Sequence, residues 1–415
     1  MMSTSAAQYF RLTPLDVALF RDARPFRAEE AETARLSAEL PPQLTVFGAM
    51  RDFLLQQTDT SYNEFGHGQG PASVGSGPNH PGSLALGPIL WGTQEGTSVT
   101  AIFPPPADLC QWEKSTETGV GLQLPSPALG LTSLPHGMAT LSPTKWTAAG
   151  NLRLIEPADE TKVEPGVSVL LQKHLETYLT AQELAFISHT HHLCSREVRV
   201  GIERNPLTRT ASEGRLYSAE LVRPHTSLPK SSSFYSLPIY SGAEDLPQHR
   251  SVIALGGERR PFELSSEPML APIATGLRQK VAASLLAGDG EVTFRIYLLS
   301  SAPPGPDPSS GWKPWLPAIE NTTLEIFAAA VPRSQWLSGW SVGRPLAARP
   351  HIPAGAVYFI RAKSALERSK TVENIMNAFW EQPALCPVTH SSIEDRLECK
   401  AGHGITLVGA IAHAQ

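Results

Sequence analysis

Charge is scarce in this chain of 415 residues. Asp, Glu, Lys and Arg make up 18% of it, and 34 basic against 39 acidic side chains leave a formal net charge of -5. Ordinary soluble domains carry about 25% charged residues. A general nucleic-acid binder shows a basic balance, so that class is disfavoured, while a narrow basic site is not excluded. Cysteine is scarcer still: Cys110, Cys194, Cys386 and Cys399 are the full set, with no C-x-x-C pair. That argues against a disulfide framework. No apolar stretch approaches the roughly 20 residues of a membrane span, and no N-terminal apolar run has the length of a signal peptide. The cytoplasm is therefore the expected location, with no membrane partner. The chain also lacks a G-x-S-x-G elbow, a phosphate loop ending in G-K-S/T, and a G-x-G-x-x-G following a strand. These gaps remove the common signatures of serine hydrolases, nucleoside triphosphatases and dinucleotide enzymes.

Proline and glycine are abundant, at 37 and 32 residues, and hydrophobic residues make up 41%. Such a chain has ample core material, many turns and room for two domains with long insertions. Tyr9 to Leu12 reads as a first strand. Pro41-Pro42 enters a helix on which Leu44, Phe47, Met50, Phe53, Leu54 and Leu55 fall close to helical spacing. Residues 58–82 read as a loop rich in Gly, Ser, Asn and Pro. Strand-like runs follow at 83–91 and 98–103, then a helix over 169–179. Around Arg223-Pro224 the pattern restarts: a strand near 234–240, a helix over 273–287 with Leu277, Val281 and Leu285 on one face, and a strand over 291–299. Strands at 324–331 and 356–360 and a helix over 372–380 complete it. Strand, helix, then several strands, occurring twice, predicts an α+β protein with units 1–224 and 225–415.

The most informative stretch is Arg196 to Tyr217. Val198, Val200 and Ile202 alternate with Arg199 and Gly201, as a half-buried strand requires. Asn205-Pro206 breaks that strand, and a second run, Arg215 to Val222, leaves a loop holding Thr208, Arg209, Thr210, Ser212 and Gly214. Five arginines face three glutamates between Arg196 and Arg215. Guanidinium forks, hydroxyls and exposed N–H groups suit phosphate oxygens; a solvated surface loop has the same composition.

Other constellations are weaker. Cys386, His390, Cys399 and His403 have zinc-ligand chemistry, but their C-x3-H-x8-C-x3-H spacing is irregular and equally fits two unrelated pairs. His189, His191, His192 and Cys194 have no carboxylate beside them. Asp16 and Asp22 are candidate Mg²⁺ ligands or, more commonly, turn caps and arginine partners. No metal and no cofactor is expected. Phe20, Phe26, Phe47 and Tyr217 are aromatic candidates for base stacking, with Phe47 at helical core spacing and Phe26 and Tyr217 placed beside arginines.

Five blocks in order, PLDVALFRDARPF (14–26), PQLTVFGAMR (42–51), VGIERNPLTRTASEGRLY (200–217), IPAGAVYFI (352–360) and GHGITLVG (402–409), resemble the third subunit of the Cmr complex. That complex is the type III-B CRISPR RNA-silencing effector, and the subunit belongs to the RAMP superfamily. The resemblance implies two ferredoxin-like, RRM-like domains with long loop insertions. It also implies a non-catalytic subunit that grips the repeat-derived tag at the five-prime end of the CRISPR RNA. Such a subunit docks the large polymerase-like subunit and the backbone subunits. Arg21, Arg24, Arg204, Arg209 and Arg215 then become phosphate candidates, Phe26 and Tyr217 stacking candidates, and His403 a candidate within the glycine turn. That turn is shorter than the family's glycine-rich loop, and a tight turn with positive φ explains it equally. A RAMP endoribonuclease that processes precursor CRISPR RNA is the alternative. It needs a histidine early in the first domain, and the first histidine here is His67.

Overall fold

The computed structural model describes residues 8–20, 34–35, 39–113, 120–123, 163–165, 169–182, 193–205, 207–225, 230–239, 250–266, 272–305, 312–341, 344–345, 347–387 and 393–411. Within them the chain is α+β. Seven antiparallel strands form the larger sheet, in the spatial order Ser251–Leu255, Arg260–Ser266, Gln8–Pro14, Lys230–Ile239, Ile89–Glu95, Ser98–Phe103 and Leu170–Leu171. The strands after residue 224 thus return to pair with the first strand: Leu12 lies opposite Phe234 on one side and Leu264 on the other. This pairing runs across the expected division at 224/225. Local pattern restarts there, but Lys230–Ile239 and Arg260–Ser266 flank the N-terminal strand on its two sides.

A helix, Gln43–Gln57, covers this sheet. Pro42 precedes it, where a missing N–H costs nothing. Val46, Phe47, Met50, Phe53, Leu54 and Leu55 are buried along its inner face and join Phe10, Leu12, Phe262 and Leu264 in one apolar cluster. Arg51 folds the glycine-rich loop onto the same helix. Its guanidinium donates to the carbonyls of Val74 and Gly77, each at 3.1 Å, and lies 5.1 Å from the Phe65 ring centroid.

The second core begins at the helix Leu277–Leu286. A four-stranded antiparallel sheet follows, ordered Thr322–Ala330, Val357–Ser364, Val292–Leu298, Thr406–Gly409. The helices Leu277–Leu286 and Arg368–Phe379 pack on it, with Phe294 and Phe379 in contact at 5.7 Å. Between its first two strands in sequence the described residues form loop and bridge structure, with no helix among them to complete a split βαβ unit.

The two halves meet over a buried charge. Arg295, in the central strand of the smaller sheet, is 2% exposed and reaches Asp108, 1% exposed, at 3.1 Å. Its other guanidinium nitrogen donates to the carbonyl of Tyr178, and the guanidinium sits 3.9 Å over that ring. The Tyr178 hydroxyl donates to the second Asp108 oxygen at 2.8 Å. Burial pushes the Asp108 carboxyl up, and Arg295 and the Tyr178 hydroxyl pull it back. Such a charge is tolerated only with its partners in place. Asp108→Ala is expected to destabilise the chain by about 3–5 kcal/mol, because it strands a buried guanidinium. Urea-melt midpoints check this. The double change Asp108→Leu with Arg295→Met, which removes both charges, should recover most of the loss.

Candidate nucleic-acid interface

Two distant stretches of sequence come together on one face. The long hairpin, strands Cys194–Arg204 and Ala211–Pro224, pairs from Ile202–Leu216 down to Cys194–Pro224. The segment after the first strand runs against it: Ala18 and Val222 exchange backbone hydrogen bonds at 2.8 and 2.9 Å. Val17, Leu19 and Leu221 close a small apolar cluster beneath. Asp16 accepts from Arg199 at 3.2 Å and from Arg223 at 3.0 Å, and Glu197 takes the same two arginines at 2.6 and 2.7 Å. Hydrogen bonds from Arg223, then Arg199, hold both carboxyls below the usual range. All four side chains are well exposed, so each pair is weak alone; what fixes the segment is the backbone bridge and the apolar cluster. Asp16 therefore serves as an arginine partner.

The alternation at Val198, Val200 and Ile202 does make a strand, but it is not half-buried. These three are 65%, 67% and 52% exposed, and Leu207 at the tip is 91% exposed. The hairpin's other face meets the protein body, where Arg199 and Glu197 form ion pairs. The tip is built by its own hydrogen bonds. The Asn205 side chain accepts from the N–H groups of Leu207 and Thr208 at 2.9 and 3.3 Å, and Arg209 N–H donates to Asn205 O at 2.8 Å. Arg209 sits at φ 58°, which an asparagine or glycine adopts more readily. Arg204 donates twice to the Arg209 carbonyl, at 3.2 and 3.1 Å. Both arginines are exposed. Arg215 and Tyr217 lie on the second strand, Tyr217 opposite Gly201, with their side chains outside the described residues. Arg21, Asp22, Arg24 and Phe26 are outside them too, as are His189, His191, His192 and His390.

One contributor escaped the sequence reading. The turn between Ser251–Leu255 and Arg260–Ser266 packs on the segment that leads to Arg21. Gly257 N–H donates to Leu19 O at 2.8 Å, and a Cβ on Gly256 would lie 2.6 Å from that oxygen. Glu258 and Arg259 both have positive φ, 59° and 47°. With Arg199, Gly201 and Ala219, Glu258 and Arg260 line a recess of about 190 Å³ between turn and hairpin. The signal was there: a Gly-Gly pair followed by Glu-Arg-Arg, between two strand-like runs.

His403 lies in the interior. It is 1% exposed, so it cannot present itself to RNA. Its Nδ1 lies 2.9 Å from the Ser301 carbonyl, and its ring centroid is 5.3 Å from that of His351. Gly402 and Gly404 have φ of 90° and 73°, and a Cβ on Gly402 would meet Gly87 O at 2.5 Å. The turn is glycine because it is packed from both sides. Phe20 is likewise buried, against Phe262, and does not offer a stacking face; Phe47 is core. Cys386 and Cys399 form a disulfide with Cα atoms 5.6 Å apart, one bond where the cysteine count argued against a disulfide framework. Among the described residues no group of three or more His, Cys, Asp or Glu side chains is arranged to hold a metal ion, and no helix is long and apolar enough to cross a membrane.

A family model described as CRISPR-associated protein (Cas_Cmr3) matches residues 10–377. No curated protein matches the chain. Among solved structures, a chain of the type III-B Cmr-beta complex bound to cognate target RNA is similar at 14% identity. The match covers 95% of each chain with a TM-score of 0.43. A chain of the same kind of complex bound to cognate target RNA and AMPPnP is 14% identical over 89% of this chain and 88% of that one, with a TM-score of 0.40.

Burial, then His351, lowers the His403 pKa from 6.5 to about 4, with Glu398 and Ser301 opposing. An unfolded chain binds this proton near pH 6.5, the folded chain only near 4. The stabilisation is therefore complete above 6.5 and is lost as pH falls through that window. Between pH 7 and 5 the loss should be about 2 kcal/mol. Comparing denaturation midpoints of the wild type with those of His403→Gln, which has no such proton, should show a flatter dependence in the variant.

Proposed function

The chain belongs to the Cas_Cmr3 family of CRISPR-associated proteins, and from that premise we propose that it is a RAMP-type subunit of a type III-B effector and holds the five-prime, repeat-derived tag of the CRISPR RNA. The observation that carries this reading is the convergence of residues 15–20 with the Arg196–Tyr217 hairpin. It joins two sequence blocks nearly 200 residues apart by a backbone bridge and by Asp16. Arg204 and Arg209 stand at the free end of the hairpin, beside Thr208 and Thr210. Arg21, Arg24 and Phe26 continue from the segment that the bridge fixes, and Arg215 and Tyr217 follow the loop. Guanidinium groups neutralise phosphates in this scheme, and the aromatics stack on splayed bases. Arg199 and Arg223 are already matched by carboxylates, so they position the hairpin while the tip arginines meet RNA.

In this reading the subunit does no chemistry. It caps the five-prime end of the complex and docks the large polymerase-like subunit and the first backbone subunit. The smaller sheet, with its spatial order of second, third, first and fourth strands, supports a ferredoxin-like origin for the C-terminal unit. The larger sheet is then the heavily extended N-terminal counterpart. A net charge of -5 is compatible with a part that meets RNA along one narrow face and protein over much of the rest.

Complexes reconstituted with Arg204→Ala and Arg209→Ala together should retain tag-bearing RNA at least tenfold more weakly. Each charge-assisted hydrogen bond is worth about 1.5–3 kcal/mol, and about 1.4 kcal/mol is one decade. The deficit should shrink at high salt as the electrostatic share is screened. Filter binding at two salt concentrations measures both. Unchanged retention in both would mean that the tip arginines are solvated and the tag is held elsewhere.

A further inference from the structure

The C-terminal joint between the two cores carries a feature that RNA binding does not use. The helix Ile393–Lys400 and the turn behind it cross from one core to the other. Leu397 and Ala401 belong to the cluster under the first helix, and Ile405 belongs to the cluster of the smaller sheet. Leu86 N–H donates to Lys400 O at 2.8 Å. The Gln43 amide nitrogen lies 3.1 Å from Ala401 O and 2.9 Å from Gly402 O, while its oxygen accepts from Ile89 N–H at 3.0 Å. On the far side Leu385 N–H donates to Gly404 O at 3.1 Å, and Gly404 N–H to Ser301 O at 3.0 Å. Glu398, nearly buried, lies 3.4 Å from His351 Nε2 and 3.6 Å from Arg349. The joint is thus a short helix end gripped from both cores, and the Cys386–Cys399 disulfide is the covalent part of that grip.

We propose that the thiol–disulfide state of Cys386 and Cys399 sets how firmly this joint is closed, making the pair a redox-dependent staple between the two cores. Cys386 is 3% exposed and sits on the smaller-sheet side; Cys399 is in the last turn of the helix that reaches the other core. A Cβ on Gly404 would lie 2.9 Å from Cys386 N and 3.2 Å from Cys386 Cβ, so there is no slack around this cysteine. Two thiols need van der Waals separation where a disulfide needs a bond length. On reduction the helix end must therefore move outward, and the hydrogen bonds accepted by the Lys400, Ala401 and Gly402 carbonyls move with it. The closing step is thiol–disulfide exchange with a small-molecule disulfide such as glutathione disulfide. One cysteine thiolate displaces a glutathione thiolate, and the second displaces the other, leaving Cys386–Cys399 bonded and two glutathione thiols released. In a thiol-rich compartment the same exchange runs backwards, so the staple follows its surroundings.

The full chain, equilibrated with glutathione disulfide or with excess reduced thiol, provides the test. Denaturing alkylation should label two cysteines, Cys110 and Cys194, in the oxidised sample and all four in the reduced one, with a peptide joining Cys386 to Cys399 found only in the former. Thermal melting should fall by roughly 3–4 °C on reduction, the shift for a closed loop of this size in a chain of this length. Amides of Leu86, Ala401 and His403 should exchange with deuterium faster in the reduced form. Cys386→Ser with Cys399→Ser should show none of these responses to redox conditions. Four labelled cysteines after oxidation, a different linked pair, or equal exchange at those three amides in the two wild-type samples would overturn the proposal, whether or not the double variant folds.

Discussion

The buried guanidinium of Arg295 is the constraint on which the arrangement of the two cores depends. It sits in the middle of the smaller sheet, yet every partner it has comes from the other half of the chain: Asp108, the Tyr178 carbonyl and the Tyr178 ring. A charge at this depth is stable only with its carboxylate partner in place. The helix Gln172–Leu179 and the loop around Asp108 are therefore held against the sheet to within a hydrogen-bond length. The neighbouring contacts obey the same geometry. Tyr297 packs edge-on against Tyr178 with centroids 5.5 Å apart. Gly409, on the adjacent strand, has no room for a side chain because its Cβ would lie 2.8 Å from Arg295 Nε. The end of the chain is thereby tied to the first half, and Gln43 repeats that tie at the glycine turn.

On this frame the hairpin is an outlier. Its inner face is fixed by the bridge at Ala18 and the apolar contacts of Leu221, and its four-charge network adds orientation more than stability. Its outer face keeps three β-branched residues and a tip leucine in solvent. An isolated domain gains nothing from that exposure, whereas a subunit of an assembly can cover it on association. The arginine-bearing tip extends the same structure away from the body. In a chain with scarce charge the tip places the exposed Arg204 and Arg209 at one projecting point, the arrangement that local engagement of a polyanion by an acidic protein requires.

How much of this was readable in the sequence varied with the physical range of the interaction. Helical spacing at Phe47, Met50, Phe53 and Leu54 located a helix and its buried face, because both depend on residues within two turns. Alternation at Val198, Val200 and Ile202 located a strand, but not the side it buries, since that is decided by what packs there. The return of 230–266 to the first strand was hidden for a similar reason: strand pairing across more than 200 residues leaves no local trace. His403 and its flanking glycines looked like a ligand-contacting loop and are instead the packed turn beside Gln43. The Cys386–Cys399 bond was equally opaque, because a spacing of 13 residues identifies no motif. The turn at Gly256–Arg260 showed its signal in Gly-Gly-Glu-Arg-Arg, but nothing local said that it would meet Leu19.

The hairpin and the 15–26 segment are proposed to form one RNA-contacting face. Ultraviolet crosslinking of the assembled complex on its own CRISPR RNA, with mass-spectrometric mapping of the crosslinked peptides, tests it most directly. Crosslinks from the five-prime tag to peptides covering residues 15–26 and 196–217 are the predicted result. Tag crosslinks that fall only on other surfaces of this chain, or that bypass it for another subunit, would contradict the account.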